Sequence, residues 1–143
     1  MNALTRRFAT VGSALAMAAS SLLLATSPAS AAESCYAAQC EGKDPAATVC
    51  QSDARTVGTT EWNVELRYSP TCRTAWARYS GGVSFALTVT VERRNGDGSY
   101  TPYYSTPYRG NGASVWTRMT NDAGYLSRAC VRFDSGFSCT APY

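Results

Sequence analysis

The chain reads as an all-β domain: a small, disulfide-stapled antiparallel barrel or sandwich of six to seven strands behind an irregular N-terminal segment. Three observations predict this. Apolar and polar residues alternate at period two through Trp62–Tyr68 and Val83–Arg93, a pattern that buries one face of each strand. Turn-forming clusters recur about every 8–12 residues beyond Trp62. All six cysteines lie downstream of residue 31, an even number in a short chain, as a disulfide framework requires. A closed or partly open barrel is the first expectation and a two-sheet sandwich the second.

The first residues read as a secretory signal. Arg6 and Arg7 supply a positive start, Val11–Leu24 an apolar stretch, and Pro28-Ala29-Ser30-Ala31-Ala32 the small residues a signal peptidase needs. Cleavage is expected after Ala31 or Ala32, so that residues 1–31 form the signal and 32–143 a single exported domain. The apolar run falls short of the roughly 20 residues that span a bilayer. The charge follows the same division. The precursor carries a net +3, but two of its 13 basic residues and none of its ten acidic ones lie in the signal, leaving +1. The basicity belongs to export and supports neither nucleic-acid nor membrane binding.

From Ala32 to Trp62 the pattern is irregular. Asp44-Pro45 before Ala46-Ala47 fits a helix cap followed by proline at the first helical position, and Asp53 fits a second cap before Ala54-Arg55. Beyond it, Trp62, Val64, Leu66 and Tyr68 alternate with Asn63, Glu65 and Arg67 as a first clear strand. Ser69-Pro70-Thr71 turns the chain into a partner, Ala75–Tyr79, which Gly81-Gly82 ends. Val83–Arg93 follows, then the turn Asn95-Gly96-Asp97-Gly98 and a strand from Tyr100 to Tyr104. Residues 113–119 and 125–133 are two further strands around Asn121-Asp122-Ala123-Gly124.

Fifteen pairings of six cysteines exist in principle. Cys130 and Cys139 flank Asp134-Ser135-Gly136 and are expected to close a hairpin, a loop whose cross-link stabilises by about 2.5–3 kcal/mol in the chain-entropy account. The remaining four are expected to pair as Cys50–Cys72 and Cys35–Cys40.

The chain has no histidine, which removes Ser-His-Asp and Cys-His nucleophiles and histidine metal centres. No cofactor and no metal are expected. Glu41, Asp44, Asp53, Glu61 and Glu65 are the carboxylates available for glycosidic chemistry, but Asp44 and Asp53 suit caps and Glu65 faces solvent. Asn95-Gly96-Asp97-Gly98 has too few carboxylates for calcium. Gly42-Lys43-Asp44 lacks the spacing of a phosphate loop, which leaves Lys43, the sole lysine, either paired with a neighbouring carboxylate or free for an anionic partner. Arg67, Arg73 and Arg78 flank Trp76, an arrangement that permits a guanidinium to stack on the indole. The best contact surface is Tyr100, Tyr103, Tyr104 and Tyr108 with Arg109, because tyrosine and arginine supply contact area and donors at little entropic cost.

Four motifs carry a family likeness. Cys40-x-Gly42-Lys43-Asp44-Pro45, Cys50-x-x-Asp53-Ala54-x-Thr56-Val57, Glu65-Leu66-Arg67-Tyr68-Ser69-Pro70-x-Cys72 and Ala75-Trp76-Ala77-Arg78 resemble the YjfA-like family of Gram-positive, mostly actinobacterial, proteins, a domain of unknown function. The resemblance covers roughly residues 35–140. It implies an extracytoplasmic domain; the family has no established activity, and therefore no catalytic residues to carry over.

The expectation is therefore a secreted, monomeric, non-enzymatic binding module of the bacterial exterior, contacting an envelope glycan or an extracellular protein through Tyr100–Arg109 or Lys43. A protease inhibitor presenting residues 94–112 as a loop is the alternative, and a carboxylate-dependent glycan hydrolase the third.

Overall fold

A computed structural model describes residues 31–143; the expected signal lies outside the described residues. Among the described residues, nine strands form two antiparallel sheets. β1 (Arg55–Thr59), β2 (Val64–Ser69), β3 (Thr74–Tyr79) and β6 (Val115–Trp116) lie in that order in the first sheet, and β7 (Thr120–Asn121) also pairs with β3. The second sheet runs β5 (Tyr100–Tyr108), β4 (Leu87–Arg94), β8 (Ser127–Phe133) and β9 (Gly136–Cys139). No strand pairs across from one sheet to the other among the described residues, so the barrel gives way to the sandwich. Among these residues no helix is long and apolar enough to cross a membrane.

Alternation explains the main core. Val64 and Leu66 of β2, Ala75, Ala77 and Tyr79 of β3, Leu87, Val89 and Val91 of β4, and Ala129 and Val131 of β8 are buried together between the sheets. Burying such side chains contributes roughly 1.5–3 kcal/mol each for the larger ones.

A second core lies on the other side of the first sheet. Trp76 of β3 alternates outward, yet is only 3% exposed. It packs with Cys40, Cys50, Cys72 and Met119 under the N-terminal segment. That segment consists of three short 3-10 turns, Ala37–Cys40, Pro45–Ala47 and Val49–Gln51. Backbone bonds from Ala37 N–H to Cys72 O, from Gly42 N–H to Met119 O and from Met119 N–H to Lys43 O fasten it to the sheet. The described residues thus form a sandwich with a third, irregular layer on one face. Three disulfides join Cys35–Cys40, Cys50–Cys72 and Cys130–Cys139. The second ties the irregular layer to the β2–β3 turn; the third links directly opposed residues of β8 and β9.

Several expectations shift. Asp44 caps its turn through Ala46 N–H at 2.9 Å, with Pro45 in the first position. Asp53 caps no helix: it accepts from Ser69 Oγ and Thr71 N–H and holds the β2–β3 turn. The residues after it form β1, a polar edge strand with an irregular register at Val57. The strand expected from Val83 begins at Leu87, because Gly81 and Gly82 at φ +88° and +128° carry the chain through a loop first. Of residues 94–112, Tyr100–Tyr108 form β5, paired with β4 except at the register shift beside Tyr103.

Candidate functional site

The expected tyrosine surface is dispersed. Residues of β5 opposite β4 alternate as Tyr108↔Leu87, Thr106↔Val89 and Tyr104↔Val91, then the register shifts between Val91 and Glu92. Tyr108 and Tyr104 therefore face inward, Tyr103 sits at the shift, and Tyr100 falls on the outer face. Tyr108 is 1% exposed; its hydroxyl donates to Val83 O and accepts from Gly112 N–H, so it cannot serve as a contact residue. Tyr104 packs beside Gly42, and burial, then the neighbouring Glu41, raises its pKa. Tyr103 lies under the guanidinium of Arg93, which also covers Tyr125 at 4.2 Å. Tyr100 lies under Arg128 at 3.8 Å, and Arg128 in turn holds the buried carboxylate of Glu92 at 2.7 Å. Arg109 stands exposed at the far end of β5, and Lys43 pairs with Glu33.

A different site assembles on the outer face of the first sheet, where the irregular layer stops short of covering it. Strand register builds its floor. Thr56, Arg67 and Trp76 stand directly across β1, β2 and β3, and Glu65, Arg78 and Trp116 directly across β2, β3 and β6. Arg67 and Arg78 are diagonal neighbours, a placement with Cβ atoms about 7–8 Å apart or less. Pro45, Ala46 and Gln51 of the irregular layer form one wall, and Ser80, Ser114 and Trp116 the other. The enclosed space is about 330 Å³, at the lower end of small-ligand sites.

Each side chain there is held in position. Trp116 is 38% exposed, and its Nε1–H donates to Asp44 Oδ1 at 2.9 Å, the same oxygen that caps the turn forming the opposite wall. Arg67 spends two donors on Thr56 Oγ1 and Ala54 O, at 2.7 and 2.8 Å. Arg78 gives its Nε–H to Glu65 Oε2 at 2.6 Å, and its two terminal nitrogens meet no protein acceptor among the described residues. Burial, then the like charge of Arg78, lowers the pKa of Arg67, partly offset by Glu65. No arginine stacks on Trp76 among the described residues; Arg67 and Arg78 line the groove together with that indole, and Arg73 is not part of its lining. Of the five carboxylates considered for hydrolysis, four are held by other groups, Glu41 by Arg93 and Asn121 N–H, Asp44 and Asp53 as above, and Glu65 by Arg78, while Glu61 is exposed.

The sequence sets Arg67, Arg73 and Arg78 around Trp76; the groove takes in Arg67, Arg78 and Trp76 without Arg73, and adds Trp116 and Gln51, which the sequence did not single out. The signal for Trp116 was slight: one large apolar residue after a run of Gly, Asn, Ala and Ser, next to the inward Val115.

The profile of a family described as "protein of unknown function (DUF2690)" matches residues 38–130, and the chain belongs to that family. No curated protein matches the chain, and no solved structure does.

Proposed function

We propose that this member of a family without assigned activity is an exported, non-enzymatic binding module of the bacterial exterior, and that its ligand is a saccharide held in the Trp76–Trp116 groove. The export reading rests on the signal-like residues 1–31, on the likeness to the YjfA-like family, and on three disulfides, which persist in oxidising compartments. One observation carries the ligand reading. An indole face is left open to solvent at the rim of a groove, while its N–H is tied down by Asp44. A large exposed aromatic fixed in one orientation, with guanidinium, amide and hydroxyl groups converging beside it, suits a ring that is apolar on one face and hydroxylated at its edge. The dispersal of the β5 tyrosines and the pairing of Lys43 favour the groove over both earlier candidates.

The test is retention of the full chain, recovered from an exporting host with its disulfides intact, on purified peptidoglycan, chitin and cellulose. Wild type is expected to be retained on at least one. Trp116→Ala should reduce retention at least tenfold, the loss of about 1.4 kcal/mol or more expected of a central aromatic anchor. Phe137→Ala, at an exposed aromatic of the other sheet, should leave it unchanged. Absence of wild-type retention on all three would sink the proposal, as would equal retention of the Trp116 variant.

A further inference from the structure

The groove is charged in one sense only. Among the described residues, the two ionisable side chains that line it are Arg67 and Arg78, and they are diagonal neighbours. Glu65, the nearest counter-charge along the register, lies on β2 directly opposite Arg78 and takes its Nε–H, leaving the terminal fork unspent. Asp44, the other carboxylate close by, is already shared between Ala46 N–H and the Trp116 indole. Arg78 stands directly opposite Trp116, so its fork and the open indole border the same space.

From this arrangement we infer that the ligand is an anionic saccharide whose carboxylate or phosphate group seats between Arg67 and Arg78 while its ring lies against Trp116. The inference rests on the saccharide reading above. Two like charges held together at the floor of a groove repel one another, and burial weakens their hydration; an entering anion relieves both effects. A planar fork with free donors matches carboxylate and phosphate oxygens in geometry as well as charge. A neutral sugar would satisfy donors but leave the repulsion in place. The lowered pKa of Arg67, caused by burial and then by Arg78, agrees with that picture.

The experiment uses purified peptidoglycan carrying its covalently attached anionic polymers, in three forms: untreated, stripped of phosphodiester polymers with hydrofluoric acid, and amidated at its carboxylates with carbodiimide and an amine. Retention of the full, disulfide-intact chain is expected to fall about tenfold or more after one of the treatments, the size of effect given by a charge-assisted hydrogen bond. The treatment that does so identifies phosphate or carboxylate as the source. Arg78→Gln on untreated wall should lose a similar factor, and Arg78→Lys, which keeps the charge without the fork, should lose less. Circular dichroism of both variants shows whether they fold, and Arg67→Gln gives a second reading of the same pair. Retention unchanged by both treatments, or changed by a treatment but not by either arginine-to-glutamine variant, would overturn the inference. If Trp116→Ala still abolished binding in that case, the saccharide reading would stand alone. No retention of wild type on untreated wall would overturn the inference, and the saccharide reading would then be decided by retention on chitin and cellulose.

Discussion

Asp122 is buried beside Ser127, whose Oγ donates to it at 2.6 Å, and burial pushes its pKa up to about 6 against that bond and the charges of Arg73 and Arg93. The sign follows from proton counting. The folded state holds this proton up to about pH 6 and the unfolded state releases it near 3.8, so between those values folding takes up a proton. Stability from this group is therefore greatest below pH 4 and falls as pH rises through 6, by at most about 3 kcal/mol. Asp122→Asn keeps an acceptor for Ser127 and removes the titration. Its stability relative to wild type should rise steadily between pH 4 and 7 in urea unfolding, and a pH-independent difference would refute the assignment. Asp53 runs the other way: burial opposes its ionisation, but the bonds from Ser69 and Thr71 prevail and lower its pKa. None of this was legible in the chain, because an aspartate before a turn looks the same whether it caps a helix or reaches across a hairpin. Asp44 fitted its cap because Pro45 fixes the next dihedral; Asp53 had no such neighbour.

Among the elements, strands were readable where alternation was long, although the alternation that starts at Val83 runs through a loop ahead of β4. β2 and β4 carry strict period-two patterns over the core, and Asn95-Gly96-Asp97-Gly98 closes the hairpin to β5 with Asp97 bonded to Ser99. β1 escaped because Arg-Thr-Val-Gly-Thr is a polar edge with a register irregularity. The β5 tyrosines do not share one face because the register shifts between Val91 and Glu92, which composition does not reveal. Cysteine spacing translates into energy more directly. Cys50–Cys72 closes a loop of separation 22 and Cys35–Cys40 one of separation 5, which in the chain-entropy account correspond to about 3.4 and 2 kcal/mol. Paired substitution to alanine should therefore cost more at Cys50/Cys72 than at Cys35/Cys40. The gap should exceed the entropic difference, because Cys50 and Cys72 are both fully buried against Trp76 whereas Cys35 is only partly buried. Equal shifts in urea midpoint would show that the irregular layer is not anchored through this bridge.

For the molecule as a whole, the two cores differ in how they are held. The sandwich core is built from long strands of both sheets, whereas the outer core rests on three short turns, two disulfides and one tryptophan. Free energy of opening follows the density of such packing, so the irregular layer should open as a unit below the global unfolding free energy. Reduction of the disulfides under native conditions provides the test. The amides of Gly42 and Lys43, bonded to Met119 O and Cys40 O, should lose exchange protection while those of Val89 and Val131 in the β4–β8 pair keep theirs. Trp76 fluorescence should shift to the red in the same step as its cover departs. The layer also supplies Pro45, Gln51 and the Asp44 anchor of Trp116, so saccharide retention should vanish at the reductant concentration that frees Gly42, before the sandwich unfolds. Simultaneous loss of protection at Gly42 and Val89 would mean one cooperative unit, and the groove would then owe its shape to the fold as a whole. Barrel and sandwich were indistinguishable in the sequence for a related reason: alternation sets which face of each strand is buried but not which strands close the edges. The strand expected over 113–119 shortens to the two-residue β6, which places Trp116 beside Arg78.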